Sequence, residues 1–264
     1  MDFDIKHKDG RVLWSGEGYD LADAVQRAIH DGAILDGAQL PDVDLAGANL
    51  EEARLRGANL QRARLRNANL EEADLRQADL TGAQMDGVNV EETDLSGALL
   101  VDVTARGANF EEASLAGADL TRARAEGCNF EECDLRGAKI EGATFRRSNF
   151  EEVALDGARG VGASFNGCNL EKASLREADL AGVDLSSCNL EKCDLRGARL
   201  WGANLAGSNL EKADLRDADL TDADLREANL DRVDIDGAKM DGAKMDSTNT
   251  SRMRGKPATS SPYR

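Results

Sequence analysis

Every fifth residue from Leu35 to Met245 is apolar or small, and this register never slips. A fixed internal period is the signature of a repeat architecture, in which each unit stacks on the next. A period of five matches neither an α-helix, with about 3.6 residues per turn, nor a strand, whose side chains alternate. The chain must therefore turn a corner once per repeat and point the same two side chains inward each time.

The two inward positions differ in size. The larger position, here called the centre, falls at numbers divisible by five and is mostly Leu or Phe; the small site, two residues earlier, is mostly Ala. The small exceptions at the centre are Ala105, Ala125 and Gly160, and each is followed by a Phe at the next centre. Because protein interiors pack to near-crystalline density, this pairing of large with small indicates volume compensation in a core.

A second period of twenty is superimposed on the first. Every fourth centre is preceded by Asn and followed by an acidic residue, and these Asn residues are Asn49, Asn69, Asn89, Asn109, Asn129, Asn149, Asn169, Asn189, Asn209 and Asn229. The second period predicts that four repeats return the chain to the same side, one coil further on. Asn amides in such a column can pair along it, as they do in stacked strands.

The repeat of Ala, then Asp or Asn, then Leu and two variable residues resembles the pentapeptide-repeat family over roughly residues 31–250. The resemblance implies an all-β fold, a right-handed quadrilateral parallel β-helix with four pentapeptides per coil. Residues 31–250 then form a pentapeptide-repeat solenoid of about eleven coils, which we expect to be a domain of its own.

Residues 1–30 lack the repeat and form a separate segment. The runs around Ile5 and Leu13 flank Lys8-Asp9-Gly10, which predicts a β-hairpin, and Asp20 opens a short amphipathic helix. The end of a solenoid exposes apolar centres and unpaired backbone, so a terminal cap is required. We interpret residues 1–30 as this hairpin-plus-helix cap.

The cap at the C-terminal end of the solenoid is less obvious. Residues 251–264 form a basic tail that contains two prolines and no acid, a composition that predicts disorder. The last repeats carry Met in place of Leu, and a second subunit could cover this end of the core. The candidate dimer end therefore consists of Met240, Met245 and Met253.

The composition gives no sign of catalysis, a cofactor or a metal. All five cysteines stand at the small site, where they are expected to be buried as substitutes for Ala; they are Cys128, Cys133, Cys168, Cys188 and Cys193. The two histidines, His7 and His30, lie outside the repeat, so no Cys/His or Ser/His/Asp constellation is formed. No glycine-rich phosphate loop is present either. We therefore expect a protein that is not an enzyme and has no catalytic, cofactor-binding or metal-binding residue.

The net charge of −17 is unevenly distributed, and one side of the predicted coils is distinctive. Two adjacent glutamates recur there at steps of twenty, and the resulting candidate interaction strip consists of Glu51, Glu52, Glu71, Glu72, Glu91, Glu92, Glu111, Glu112, Glu131, Glu132, Glu151 and Glu152. Lys172, Lys192 and Lys212 replace the second Glu in later coils. Two explanations stay open: a binding surface, or surface residues copied by repeat duplication.

Two functions follow as hypotheses. The first is a non-enzymatic rigid scaffold that binds a protein partner of unknown identity through its charged flat faces. The second is an acidic DNA mimic, since the resemblance extends to acidic members that bind type II topoisomerases such as DNA gyrase. Those members protect the enzyme against quinolones or toxins and act as homodimers joined at their C-terminal ends.

The sequence also bears on nucleic-acid binding, membrane association and cellular compartment. Its acidity argues against direct binding to nucleic acid. It contains neither a run of apolar residues long enough to span a membrane nor a charged-then-apolar leader. We therefore expect a bacterial cytoplasmic protein with no membrane association.

Overall fold

The computed structural model describes residues 1–258 of the chain. They fall into two compact units, Met1–Asp134 and a second unit that starts at Leu135. No helix among the described residues has the length and apolar character needed to cross a membrane.

The first unit begins with a hairpin and a helix. Strand β1, Asp2–Lys6, pairs antiparallel with strand β2, Val12–Glu17. Helix α1, Leu21–His30, starts at Asp20, whose side chain accepts a hydrogen bond from the backbone N–H of Asp23. Its buried face is small and apolar and consists of Ala24, Val25 and Ala28.

The end of the hairpin bonds to the first coil. The backbone N–H of Gln39 donates to the carbonyl of Lys6 at 2.8 Å, and that of Lys8 donates to the carbonyl of Gly37 at 3.2 Å. A Cβ on Gly37 would lie only 2.3 Å from Cδ2 of His7, and its φ of 68° also favours glycine. The hairpin thus supplies hydrogen-bond partners to a coil edge that would otherwise be open.

From Ile34 onward the first unit consists of coils of twenty residues. Parallel bridges join residues twenty apart in four ladders per coil, for example Asn49 to Asn69, Arg54 to Asp74, Asn59 to Asp79 and Arg64 to Gln84. Each centre donates its N–H to the next coil, as Leu50 does to the carbonyl of Asn69 at 2.7 Å. The backbone groups on the sides of a coil therefore find their partners in the neighbouring coils.

The corners explain why Asp or Asn precedes many of the centres. The side chain of Asp79 accepts from the backbone N–H of Thr81 at 3.0 Å, and Asp94 does the same for Ser96 at 2.9 Å. This is the Asx turn, in which a short polar side chain bonds the backbone two residues on. The second corner residue has a positive φ, which glycine adopts freely and Glu52 also adopts, at 54°.

The second unit repeats this arrangement and extends beyond its expected end. Asp234 bridges Arg254, the N–H of Gly237 donates to the carbonyl of Lys256 at 2.9 Å, and Ala258 donates to Ala238 at 2.8 Å. Residues 251–258 therefore continue the coil, whereas the composition of 251–264 predicted disorder. The ladder bonds are between backbone groups, so they do not require the apolar centres that this segment lacks. The remainder of the predicted tail, residues 259–264, lies outside the described residues.

Volume compensation is visible in both cores. In the first unit, Phe110 and Phe130 stack with ring centroids 4.6 Å apart and planes 10° from parallel. In the second unit, Gly160 occupies a centre, and a Cβ there would lie 2.9 Å from Cδ2 of Leu180 and 3.0 Å from Cδ1 of Ile140. The glycine at this centre is needed because its neighbours fill the space of a side chain.

All five cysteines are buried and reduced, and four of them, Cys128, Cys168, Cys188 and Cys193, do more than replace Ala. Cys168 donates its S–H to the carbonyl of Phe145 at 3.0 Å, and Cys188 donates to the carbonyl of Phe165 at 2.9 Å. Thr93, at the same position of its repeat, makes the equivalent bond to Leu70. Burial raises the pKa of both Cys168 and Cys188 to about 12. A polar small site thus gives a second hydrogen bond to a buried carbonyl.

Replacing Phe130 by Ala should lower the free energy of unfolding by roughly 3–5 kcal/mol, because Phe110 loses its stacking partner and a cavity remains. Glu112→Ala removes an exposed side chain and should change stability little. Urea unfolding of both variants measures the difference. Equal losses would contradict the inward orientation of the centres.

The five thiols should react slowly with a maleimide in the folded protein and quickly after denaturation, since the thiolate is the reactive form and burial disfavours it. Ser187→Cys adds an exposed thiol and serves as the control that labels quickly under native conditions. Mass spectrometry counts the labels. Rapid native labelling of any original cysteine would refute the inertness of the buried thiols.

Candidate protein interface

One side of the first unit carries stacked carboxylates. Backbone bonds join Glu52 to Glu71, Glu72 to Glu91, Glu92 to Glu111 and Glu112 to Glu131 at 2.9–3.1 Å, so successive pairs are in register. We call this side the Glu ladder, and it consists of Glu51, Glu52, Glu71, Glu72, Glu91, Glu92, Glu111, Glu112, Glu131 and Glu132. With about 4.8 Å between coils, it presents one carboxylate per roughly 2.4 Å.

An Asn column runs beside the Glu ladder. The side-chain amide of Asn89 donates to Oδ1 of Asn69 at 3.0 Å, and that of Asn109 donates to Oδ1 of Asn89 at 3.1 Å. In the second unit the column runs from Asn149 to Asn249, with donor–acceptor distances of 3.1 to 2.7 Å. The predicted Asn pairing is therefore present within each unit, and Asn249 extends it by one residue.

The same amides hold the first glutamate of each pair. Asn109 donates to Oε2 of Glu91 at 3.0 Å, and Asn129 donates to Oε2 of Glu111 at 2.9 Å. The first glutamates from Glu71 onward are thereby half-buried, whereas the second ones are exposed. A charge-assisted hydrogen bond of this kind fixes the carboxylate in place.

Stacking affects the charge of the ladder. The pKa of Glu111 is raised above its ordinary value, first by desolvation and then by repulsion from Glu91, Glu131 and Glu112, although the bond from Asn129 opposes this. The eight glutamates from Glu51 to Glu112 form no ion pair with any residue in 1–258.

The corresponding side of the second unit is neutralised. Lys192 Nζ lies 2.9 Å from Glu171 and 3.2 Å from Glu191, while Lys212 Nζ lies 3.0 Å from Glu191 and 2.9 Å from Glu211. Each lysine thus bridges carboxylates of two consecutive coils, and we call this side the Lys zipper. Contact with Lys212 and Lys192 lowers the pKa of Glu191.

The structure divides the predicted interaction strip between the two units. Glu151 and Glu152 belong to the second unit, where Lys172 Nζ approaches them at 3.2 and 2.8 Å. The other ten predicted residues form the Glu ladder. Sequence reasoning identified the lysines but not their bridging contacts, which a spacing of twenty-one residues between Glu and Lys could have indicated.

The candidate dimer end lies at the last coil of the second unit. Met240, Met245 and Met253 are half-buried, whereas the preceding centres, such as Leu230, are fully buried. Within the described part of the chain, the N–H groups of Met245 and Thr250 have no acceptor in a following coil. This end therefore combines partly exposed apolar side chains with backbone N–H groups that have no acceptor among residues 1–258.

The Glu ladder is suited to bind cations arrayed on a partner. Its carboxylates are acceptors only, and guanidinium or ammonium groups are their strongest ligands. Among residues 1–258, no group of three or more His, Cys, Asp or Glu is arranged to hold a metal ion.

Opposite pH dependences should distinguish the two sides. Because the pKa of Glu111 is raised in the folded protein, the protonated carboxyl stabilises the fold. This stabilisation is complete below the ordinary pKa of 4.5 and is lost as the pH rises through the folded-state pKa. The lowered pKa of Glu191 means that its contribution is present above 4.5 and lost as pH falls.

At about pH 7, we therefore expect Glu111→Gln to leave the protein as stable or slightly more stable, and Glu191→Gln to destabilise it modestly, with the difference disappearing toward about pH 3. Urea unfolding across this range measures both variants. Parallel pH profiles would show that the Lys zipper and the Glu ladder do not differ electrostatically.

Comparison with solved structures finds repeat proteins of the same kind. HetL from the cyanobacterium Nostoc sp. strain PCC 7120, a pentapeptide-repeat protein involved in heterocyst differentiation regulation, is 24% identical over 89% of this chain and 97% of its own, with a TM-score of 0.44. Rfr23 from Cyanothece 51142 is 28% identical over 48% and 90%, with a TM-score of 0.36. QnrB1, a plasmid-mediated fluoroquinolone resistance protein, is 23% identical over 69% and 88%, also at 0.36.

No curated protein matches the chain in sequence. The family model for pentapeptide repeats matches eight times and covers most of the chain, at residues 31–62, 58–97, 98–137, 113–151, 128–159, 161–191, 193–232 and 213–249. The first match begins at residue 31, close to Ile34, where the parallel bridges of the coils start. The chain belongs to the pentapeptide-repeat family.

Proposed function

We propose that the protein is a non-enzymatic scaffold for protein–protein interaction, and that the Glu ladder is its binding surface for a basic partner. The observation that carries this proposal is the contrast between the two units. The Lys zipper shows that the fold accommodates a neutralising lysine at the second Glu position, with good geometry. Four coils of the first unit nevertheless retain both carboxylates without an ion pair from residues 1–258.

Simple copying of repeats does not account for that contrast. Duplication spreads an existing side chain along a column, yet this column changes from Glu to Lys after Glu152. Desolvation, and then repulsion from its neighbours, raises the pKa of Glu111, so keeping this carboxylate charged carries a cost. A basic partner would remove that cost on binding, and electrostatic attraction would speed its association.

A more specific candidate is a DNA mimic that binds a type II topoisomerase. The carboxylate spacing of roughly 2.4 Å along the Glu ladder approaches the one charge per about 1.7 Å of duplex DNA. A surface with this charge density fits a groove that normally holds the phosphate backbone. DNA gyrase, protected against quinolones or toxins, is the partner that the family resemblance favours. The right-handed, quadrilateral form of the coils is proposed on the same ground.

The end formed by Met240, Met245 and Met253 is proposed as the contact for a second copy of the chain. A dimer would bury the half-exposed methionines and pair the open backbone edge of the last coil. Met245→Glu should then shift the mass measured by light scattering from dimer to monomer. A wild-type mass equal to that of one chain would reject this part of the proposal.

The gyrase hypothesis is tested by a supercoiling assay. We expect the wild-type protein to modulate gyrase at low micromolar concentration and the effect to weaken with added salt, which screens exposed charges. A variant with Glu91, Glu92, Glu111 and Glu112 changed to Lys should lose the effect and keep the fold, because these side chains do not contribute to the core.

A matched control changes the same amount of charge elsewhere. Asp217, Asp222, Glu227 and Asp236 are exposed acids of the second unit that form no ion pair within residues 1–258. Changing these four to Lys should leave most of the effect. Equal loss in both variants would indicate net charge rather than the Glu ladder, and no effect of folded wild type would leave only the general scaffold.

A further inference from the structure

A second surface, in the second unit, has a different character from the acidic sides. Trp201 is 56% exposed and Val161 is 48% exposed, although the other large apolar side chains of this unit up to Ile235 are buried. Exposed apolar groups that cluster on a soluble protein mark interaction sites more often than isolated ones do. This surface lies ten residues, or half a coil, away from the Lys zipper.

Backbone bonds place these side chains in one row. The N–H of Gly162 donates to the carbonyl of Ala181 at 3.0 Å, and that of Gly182 donates to the carbonyl of Trp201 at 2.8 Å. Val161, Ala181 and Trp201 therefore occupy the same position on three consecutive coils. They form an apolar row that spans roughly 10 Å.

Two arginines border this row. Parallel bridges link Arg159 to Asp179 and Asp179 to Arg199, so that the three side chains form a column two residues from the apolar row. Together with Gly157, Glu177 and Gly197, they line a groove of about 490 Å³. We call the apolar row and this column the Trp201 surface.

The two arginines are held loosely. Arg159 lies 3.5 Å from Glu141 and Arg199 lies 3.6 Å from Asp179, and their side chains are 65% and 73% exposed. Elsewhere in the unit, Arg196, Arg216 and Arg226 contact an aspartate two residues earlier at 2.5–2.6 Å. The guanidinium groups of the Trp201 surface thus retain donors for a further acceptor.

The corner beside the row is bare. Glycine occupies it in four successive coils, at Gly142, Gly162, Gly182 and Gly202, and a Cβ on any of the last three would meet no atom within 4 Å. Asp222 holds the same position one coil later with a φ of 57°, so the backbone does not require glycine here. The missing side chains leave the Trp201 surface accessible.

The geometry points to the Trp201 surface as a docking site for an extended peptide segment of a partner protein, in which carboxylates flank an aromatic or aliphatic side chain. The carboxylates bind Arg159 and Arg199, and the apolar side chain packs on Trp201 and Val161. Trp and Arg are the residues most enriched at interface hot spots. This site takes an acidic segment and is independent of the Glu ladder, which takes a basic one.

Single-stranded nucleic acid is the other polymer that uses arginine and an aromatic ring. The Trp201 surface disfavours it, because Asp179 lies between the two arginines and Glu177 lines the same groove. A continuous phosphate backbone would meet these carboxylates, whereas a peptide can present a backbone N–H to them.

The test uses the full chain labelled with 5-fluorotryptophan, in which ¹⁹F NMR reports on the two tryptophans separately. Trp201→Phe assigns the resonance. The probes are acetylated octapeptides with Asp or Glu at alternate positions and Leu, Phe or Trp between them, their Lys-substituted counterparts, and decathymidylate. We expect the acidic peptides alone to shift the Trp201 resonance.

Four variants locate the site. Arg199→Glu and Gly182→Arg, which fills the bare corner, should each weaken binding by about 10-fold or more. Arg226→Glu and Gly207→Arg make the same changes on another side of the unit and should leave binding within about 2-fold of wild type. Trp201→Ala should leave any effect on gyrase unchanged, which separates this site from the Glu ladder.

Three results would overturn the inference. One is that no acidic peptide shifts the Trp201 resonance at about 1 mM. Another is that decathymidylate shifts it at a lower concentration than any peptide. The third is that Arg199→Glu and Arg226→Glu weaken binding equally, which would show that binding depends on overall charge and not on the Trp201 surface.

Discussion

The hydrogen bonds between coils are the constraint on which everything else depends. Most centres donate their N–H to a carbonyl nineteen residues ahead, as Leu50 does to Asn69, and residues twenty apart bridge in parallel. This bonding satisfies the backbone without long strands and leaves only five residues for each side. Two side chains per repeat must then fill the interior. A large centre and a small site are therefore required, and a side chain that departs from this rule, as Gly160 does, must be matched by its neighbours.

The same ladder has a consequence outside the core, because it stacks equivalent surface residues about 4.8 Å apart. Asn suits such a column, since its amide donates to the next Asn while its oxygen accepts from the corner N–H, as Asn89 does. Glu suits it less well, since carboxylates only accept and repel one another. The second unit resolves this conflict with lysines that bridge consecutive coils. The first unit leaves it unresolved, and for that reason its acidic side is the candidate interface.

The period of five was sufficient to predict which residues are buried, and the period of twenty to predict which residues share a column. The hairpin and helix α1 also lie where turn and capping residues place them. Details that depend on donor geometry could not be predicted in this way. The spacing alone indicates neither that Cys168 donates to the carbonyl of Phe145 nor that Asn109 holds Glu91. The backbone bonds of residues 251–258 could not be predicted from composition, because composition reports on core formation and the ladder bonds only the backbone.

The surface positions carry functional information because the fold constrains them so little. The corner holds Gly182 in one coil and Asp222 in another, and the column holds Glu in some coils and Lys192 in another. Differences between coils at such positions are therefore not dictated by the ladder bonds. In the first unit the retained feature is the run of carboxylates from Glu51 to Glu112 without an ion pair in residues 1–258, and in the second it is an exposed ring beside two loosely held arginines. The two proposed surfaces therefore differ in chemistry: the Glu ladder offers only acceptors, whereas the Trp201 surface offers guanidinium donors beside an exposed ring.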